Sequence, residues 1–531
     1  MKKMKKRSGW ETCVKKTAGV FTALCLAAAA LTSASPALVS ADEAESVSSE
    51  AETAGTETAG TDQDAEALSS VQVYVGSGSE IKWSDRSNGA DAKVEWPTLG
   101  LSEEDRERYP GLAEAFDAFN EERKTDGEER YAQMLEDVQE QLENNPDLFG
   151  GNFESEVFYV QRADEKLVSF LGDYTSYNGG VHGYHASRGV TFETSTGKML
   201  TLGDLVTDLD AFKQVLKEKV REQYPETEED LVDQYFTSVE TDLYNWTAGP
   251  LGITCYFNPY DLGPYAIGAQ KVLVPYEDYA SLYAADAAAA PDTYGVGFPM
   301  FDTWDFGEKS VCVYGSKDEY DEYSSVTVIV NDAETTEEIH AFEIRPAYVR
   351  TGAGDFLYMD LSIENDAHVL DIWQLGDTAE RIGQLDLGRG FIYDEKTGFF
   401  GDAALSDPDN MLLSTRSDIL GTASCERHYR TGEDGMPAPI EQSFTYVTGR
   451  TLTLKQDLNC ETVGEDGETN GAVTLPAGTG LTMLRTDKDT YVDLASEDGQ
   501  VFRVFVETAS WPQTIDGTDI EELFEGILFA G

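Results

Sequence analysis

Apolar and polar positions alternate through Val71-Gln72-Val73-Tyr74-Val75, the two-residue period of a strand with one buried face. The period then changes. Ser102-Glu103-Glu104-Asp105 reads as a helix start, and Pro110 limits that first helix. A longer helix is predicted from about Leu112. Leu112, Ala115, Phe116 and Phe119 share one face, and Tyr131, Met134, Leu135, Val138 and Leu142 continue it until Pro146 ends it. This stripe is core packing. Residues 153–171 predict two strands around Ala163-Asp164-Glu165, and 190–193 with 199–202 predict a hairpin around Ser195-Thr196-Gly197. Helices are expected over 210–224 and 229–244, strands over 253–257 and 271–275, and a short helix over 276–283 that runs into the alanine tract 284–290. Helices and strands mix without βαβ alternation, so residues 71–287 read as an α+β module.

From 291 onward the strand period dominates. Segments 310–314, 326–330, 338–344, 356–363, 368–373 and 391–393 all read as strands, which makes 291–440 a β-rich domain of no assigned type. FLYMDLSIENDAHVLDIWQL reads as one hairpin, and without a repeat it does not predict a propeller. Residues 443–531 carry short strands with Pro-Ala-Gly and Asp-Gly turns, and LPAGTGLTMLR resembles bacterial SH3-like barrels. The expected class is therefore α+β: a mixed module followed by mostly-β C-terminal domains, the last of them SH3-like.

Charge and the N-terminus change this picture most. The 531 residues hold 39 basic and 99 acidic side chains, a net charge of −60. Such a surface repels nucleic acid and anionic lipid and attracts cationic partners, besides conferring solubility. Lys2, Lys3, Lys5, Lys6, Arg7, Lys15 and Lys16 form a basic n-region ahead of a 14-residue apolar core, Ala18 to Leu31. Val39-Ser40-Ala41 offers small residues for cleavage, so 1–41 is expected to be a signal peptide and Asp42 the mature start. Fourteen residues fall short of the roughly 20 that span a bilayer. The expected location is extracellular or at the cell wall, the alternative being anchorage through an uncleaved N-terminal segment. Leu24 before Cys25 argues against lipidation. Residues 42–70 hold no aromatic side chain and near-repeat TAGTETAGTD, so they read as a disordered acidic linker. The mature chain keeps Cys255, Cys312, Cys425 and Cys460, which allow three disulfide pairings or four reduced core thiols and show no metal spacing.

Catalytic signals are absent from the pattern. No GxSxG elbow, phosphate loop, dinucleotide fingerprint or HExxH occurs in a suitable setting, and only five histidines are present, so no cofactor, metal or catalytic residue is expected. The turns at Asp407-Pro408-Asp409-Asn410 and Asp487-Lys488-Asp489 lack the spacing of a calcium loop and read as solvated turns. Gly179-Gly180-Val181-His182-Gly183-Tyr184-His185 reads as a structural turn with His182 bonded locally rather than as a metal site. Tyr174, Tyr177, Tyr184, Tyr260 and Tyr265 gather around it. Tyrosine, with apolar area and one hydroxyl, suits a recognition surface and equally a half-buried core. These five and His182 are the candidate binding residues.

The blocks YNGGVHGYHASRGVTFETSTGKMLTLGDLV (177–206) and CYFNPYDLGPYAIGAQKVLVP (255–275) resemble the paired extracytoplasmic domains of RsiV-type anti-sigma factors, which also precede the catalytic domain of PdaC-type peptidoglycan deacetylases. The resemblance covers about 215 residues. It implies an exported module at the bacterial wall, with lysozyme as the partner in one branch, and it implies no catalytic site. Two features of the family are missing: the deacetylase His and Asp-Asp motifs, and a cytoplasmic domain ahead of the apolar segment, where about 16 basic-rich residues stand. The expectation is a non-catalytic binding protein for lysozyme, another cationic wall-active protein or peptidoglycan. The alternatives are a cell-envelope enzyme with its site in 291–440 and a purely structural surface protein.

Overall fold

The computed structural model describes residues 70–84, 89–144, 151–179, 182–284, 291–363, 367–388, 392–394, 399–401, 405–447, 449–464 and 467–530. The expected export segment, the linker up to 69 and alanine-tract residues 285–290 lie outside them.

Five strands open the described chain: β1 (Val73–Trp83), β2 (Ala90–Leu101), β3 (Asn152–Ala163), β4 (Leu167–Tyr177) and β5 (Tyr184–Glu193). They form one sheet in chain order, antiparallel except for β2 beside β3. The parallel step needs a crossover, which α1 (Glu103–Arg108) and α2 (Pro110–Asn144) provide. Ser102 caps α1 by accepting from the Asp105 amide. Pro110 opens α2, where its missing N–H costs nothing. At 35 residues α2 is about 52 Å long and crosses the whole sheet. Its first half buries Leu112, Phe116 and Phe119 against Phe158, Phe170 and Phe192. Its second half buries Met134 and Val138 against Val94 and Trp96. Between the two, Gly127 lets the Trp96 ring approach, because a Cβ there would lie 2.3 Å from it.

The opposite face of the sheet carries a second layer. β6 (Asn245–Ala248), β7 (Gly252–Phe257) and β8 (Gln270–Pro275) form a three-stranded sheet. Behind it pack α4 (Leu209–Gln223) and α5 (Glu229–Ser238), after the short α3 (Leu202–Leu205), around Phe212, Leu216, Phe236 and Val272. Polar contacts join the layers: the Ser169 hydroxyl is 2.7 Å from that of Thr191 and accepts from the Ala248 amide. Gly189 permits the approach, since a Cβ there would meet the Trp246 carbonyl oxygen at 1.7 Å.

Beyond this, β9 (Tyr294–Gly297), β14 (Glu343–Thr351), β15 (Gly354–Ser362), β16 (His368–Leu375) and β17 (Ala379–Leu387) form a second five-stranded sheet. A four-stranded sheet lies between in sequence: β10 (Thr303–Phe306), β11 (Lys309–Lys317), β12 (Tyr323–Val330) and β13 (Ala333–Ala341). The two share a core of Phe298, Phe306, Val328, Tyr348, Met359 and Trp373. The predicted 356–373 hairpin is the β15–β16 pair. Between Met411 and Glu525 eleven strands join one sheet, Thr514–Ile515 and Thr518–Asp519 pair separately, and no closed barrel is found among the described residues. The layout is mixed α+β followed by mostly β.

Local expectations gave way in four places. The strand expected over 338–344 is split, because β13 ends at Ala341 and β14 starts at Glu343. Residues 199–202 contribute one bridge, Phe192 to Met199, rather than a hairpin arm, because Thr201 caps α3. The expected helix over 229–244 stops at Ser238. The expected helix over 276–283 is only a 3₁₀ turn, Ala280–Leu282: Tyr276 and Tyr283 are both buried with ring centres 4.8 Å apart, which an unbroken helix over that span does not allow. All four described cysteines are free thiols, and burial pushes Cys425 and Cys460 up to about 11.

The first strand also meets the late β region. Asn410 donates to the Val73 carbonyl at 3.0 Å, and Tyr74 packs edge-on to His428. Asp407 is buried beside this seam, and burial, then Asp409, push its carboxyl up to about 7. The folded value exceeds the unfolded one, so its contribution to stability is full below about pH 4 and is lost as pH rises through 7. Asp407→Asn keeps an acceptor for the Asp409 amide and removes the charge. It is expected to raise the unfolding free energy by about 1–3 kcal/mol at pH 8 and to change it little at pH 4. Urea unfolding of both proteins at the two pH values checks this.

Candidate functional site

The six sequence-predicted residues lie at and around the β4–β5 turn, in three groups. Ser176 pairs with Tyr184 and Tyr174 with Ala186, so Tyr174 and Tyr184 share the sheet face that α2 covers. Their ring centres are 6.4 Å apart. Tyr184 is 43% exposed, whereas Tyr174 is half-buried. Burial, then the Glu154 carboxylate, push the Tyr174 phenol up to about 12. It is a neutral hydroxyl throughout the physiological range. Tyr177 points to the other face and stacks on Phe153 at 6.4 Å.

The third group is built across the two layers. His182 is exposed and stacks on Tyr265, with ring centres 4.5 Å apart and planes 25° apart. Tyr265 donates to the Gly183 carbonyl at 3.1 Å, and Nδ1 of His182 lies 2.8 Å from the same oxygen. Tyr260 follows at 5.6 Å from Tyr265 and is 61% exposed. Its φ of +80° puts it in the left-handed region, costly for a side chain with a Cβ. The neighbouring Asp261 accepts from the Asn258 amide and tightens this turn. Burial pushes the Asp261 carboxyl up to about 6. The row His182–Tyr265–Tyr260 thus has one hydrogen-bonded anchor, one stacked and one tilted ring contact, and exposed outer rings.

The flank of this tip is acidic. Gln141, near the end of α2, reaches the Asn178 carbonyl at 3.5 Å. The last turns of α2 present Glu136, Asp137, Glu140 and Glu143 to solvent, with no Lys or Arg after Arg130. Sequence reasoning missed this flank, because the helical stripe marks the buried side and the turn lies some 40 residues further on. It also missed Phe153, whose exposure depends on its place at the sheet end.

The other sequence candidates are structural. Asp487 accepts from the amides of Asp489, Thr490 and Tyr491, which closes its turn. Among the described residues no group of three or more His, Cys, Asp or Glu is placed to hold a metal ion. No helix among them is long and apolar enough to cross a membrane.

A cleft of about 810 Å³ lies where β7, β8 and the end of α4 face β9 and the loop before β10. It draws on residues from Gln161 to Ser406, and no local motif marks it.

A mixed α+β module with an exposed aromatic tip and β-rich sheets beyond it is the class this arrangement defines. Within it, residues 203–277, from α3 through β8, match the family model described as "Protein of unknown function (DUF3298)" and form a DUF3298 domain. Two crystal structures of that family are similar to this chain. One, from Bacteroides fragilis, is 17% identical over 42% of this chain and 96% of that one, with a TM-score of 0.32. The other, from Pseudomonas aeruginosa, is 16% identical over 41% and 97%, with a TM-score of 0.30. No curated protein matches the chain.

Proposed function

We propose that this chain is an exported, non-catalytic binding protein of the bacterial cell envelope that holds a cationic wall-active protein of the lysozyme kind. The observation that carries the reading is the exposed row His182–Tyr265–Tyr260, with Tyr184 exposed on the α2-covered face of the same turn region and the acidic last turns of α2 near that turn. Rigid aromatic side chains give contact area at little entropic cost, and acidic flanks steer a cation towards them. The DUF3298 domain and the 177–206 and 255–275 blocks support an RsiV/PdaC-type module. Export rests on the signal pattern in 1–41, and peptidoglycan is the second partner in this reading. Thr451–Leu454 pairs with both Gly480–Thr486 and Phe524–Glu525, which supports an SH3-like C-terminal domain.

Charge alone would give weak, salt-sensitive attraction, because exposed charges are screened beyond about 8 Å at physiological ionic strength. Titration calorimetry of the protein with lysozyme at low and high salt tests the difference. Binding should weaken with salt yet persist, and Tyr184→Ala or Tyr265→Ala should each weaken it about tenfold. Binding that vanishes at moderate salt, or that ignores both substitutions, would refute the reading.

A further inference from the structure

The cleft beside β8 suits a different kind of ligand from the tip. Its volume of about 810 Å³ lies within the range of about 300–1,000 Å³ usual for small-ligand sites. One wall is the open face of the three-stranded sheet. Thr254 pairs with Leu273, so the two stand side by side on that face, while Val272 and Val274 fill the core behind. The other wall brings Val296 from β9 and Trp304 from β10. Leu273, Val296 and Trp304 are each half-buried, so the lining keeps apolar surface open to solvent.

Uncharged polar groups with unused bonding capacity stand around this platform. Gln161 lines the cleft from the first sheet, at a bulge in β3: Val160 pairs with Phe170 and Arg162 with Ser169, so Gln161 is the extra residue. A bulge re-aims a side chain, and here the next residue, Arg162, is fully buried while Gln161 reaches the cleft. Gln161 Nε2 makes one long bond, 3.4 Å to the Val160 carbonyl, and its side-chain oxygen has no partner among the described residues. The Thr254 hydroxyl and the Trp304 indole N–H likewise have none among them. The charged residues of the lining cancel, two lysines against two acids, within a chain that carries −60. An ion of either sign therefore finds no net attraction there. A wholly apolar ligand would strip water from the amide, hydroxyl and indole N–H and give them no partner. A pyranose ring answers both requirements, with apolar C–H faces and a rim of neutral hydroxyls that donate and accept.

We propose that this cleft binds a short neutral saccharide, with its rings against Trp304 and Leu273 and its hydroxyls bonded to Gln161, Thr254 and the indole N–H. The inference goes beyond the function assigned to the tip and stands whether or not the tip holds lysozyme.

The test is titration calorimetry of the whole protein with three neutral trisaccharides, cellotriose, maltotriose and tri-N-acetylchitotriose, and with the anionic trigalacturonate. At least one neutral trisaccharide should saturate with a Kd below about 1 mM, and its affinity should be the same at low and high salt. Trigalacturonate should bind about tenfold more weakly or not at all. Gln161→Leu and Thr254→Val, which remove one hydrogen-bonding group each at similar volume, should each weaken the tightest trisaccharide about fivefold. Trp304→Ala should weaken it about tenfold or more. Thermal unfolding of each variant confirms an intact fold. Should Trp304→Ala lower the midpoint, Trp304→Phe takes its place and, lacking the N–H, should weaken binding about fivefold. The same variants should bind lysozyme as the parent does, which keeps the cleft and the tip distinguishable. No saturable heat with any of the three at about 10 mM, trigalacturonate binding as tightly as they do, or variants that bind as the parent does would each overturn the proposal.

Discussion

Replacing Arg162 with methionine should lower the unfolding free energy by about 3–5 kcal/mol, the scale on which an abandoned buried charge destabilises a fold. Arg162 and Asp164 are both 0% exposed, and the arginine Nε donates to Asp164 Oδ2 at 2.5 Å. The other carboxylate oxygen accepts from the amides of Lys166 and Leu167 and so shapes the β3–β4 turn. Methionine fills much of the volume, but it leaves an anion in a dry site with two backbone donors and no counter-charge. Adding Asp164→Asn removes that anion while keeping an acceptor for the turn, so the double variant should recover a large part of the loss. Urea unfolding of the two single variants and the double one measures the coupling. A loss below about 1 kcal/mol for Arg162→Met would mean that water or a rearranged side chain takes over the pairing.

The second large effect is expected at the other face of the same sheet. Phe116→Ala should cost about 3–5 kcal/mol, the range for emptying a buried aromatic site. Phe116 is fully buried, with ring centres 5.8 Å from Phe170 and 5.4 Å from Phe192. These rings join α2 to β4 and β5, the strands that present Tyr174, Tyr177 and Tyr184. The cavity cannot close easily, because Trp96 against Gly127 holds the far half of the helix in place. Hydrogen exchange should therefore speed up along α2 more than along α4, which belongs to a different core. Uniform acceleration in both helices would show instead that the two layers unfold as one unit.

The stripe on α2 was readable because a helix with one buried face must repeat apolar residues at its own period, whatever it packs against. Leu112, Phe116, Phe119, Met134 and Val138 all lie in the buried set. The strands expected over 310–314, 326–330, 356–363 and 368–373 were readable from their apolar pattern, whereas the one expected over 338–344 runs across the break between β13 and β14. The short helix expected over 276–283 was not formed, because the burial of Tyr276 and Tyr283 against each other outweighed local preference.

For the candidate site, the sequence determined the residue types and their rough neighbourhood: two blocks rich in tyrosine and glycine, one histidine in a tight turn, and a strongly acidic chain around them. Tertiary structure alone decided the grouping. Period-two geometry turned Tyr177 away from Tyr174 and Tyr184, and the layer packing permitted by Gly189 brought Tyr265 onto His182 from 83 residues further along the chain. The acidic end of α2 and the β8 cleft belong to the same category. Charge and apolar area are carried by individual residues and can be counted along a chain. A recognition surface depends on which residues share a face and a depth, and that is settled only when sheets and helices distant in sequence pack together.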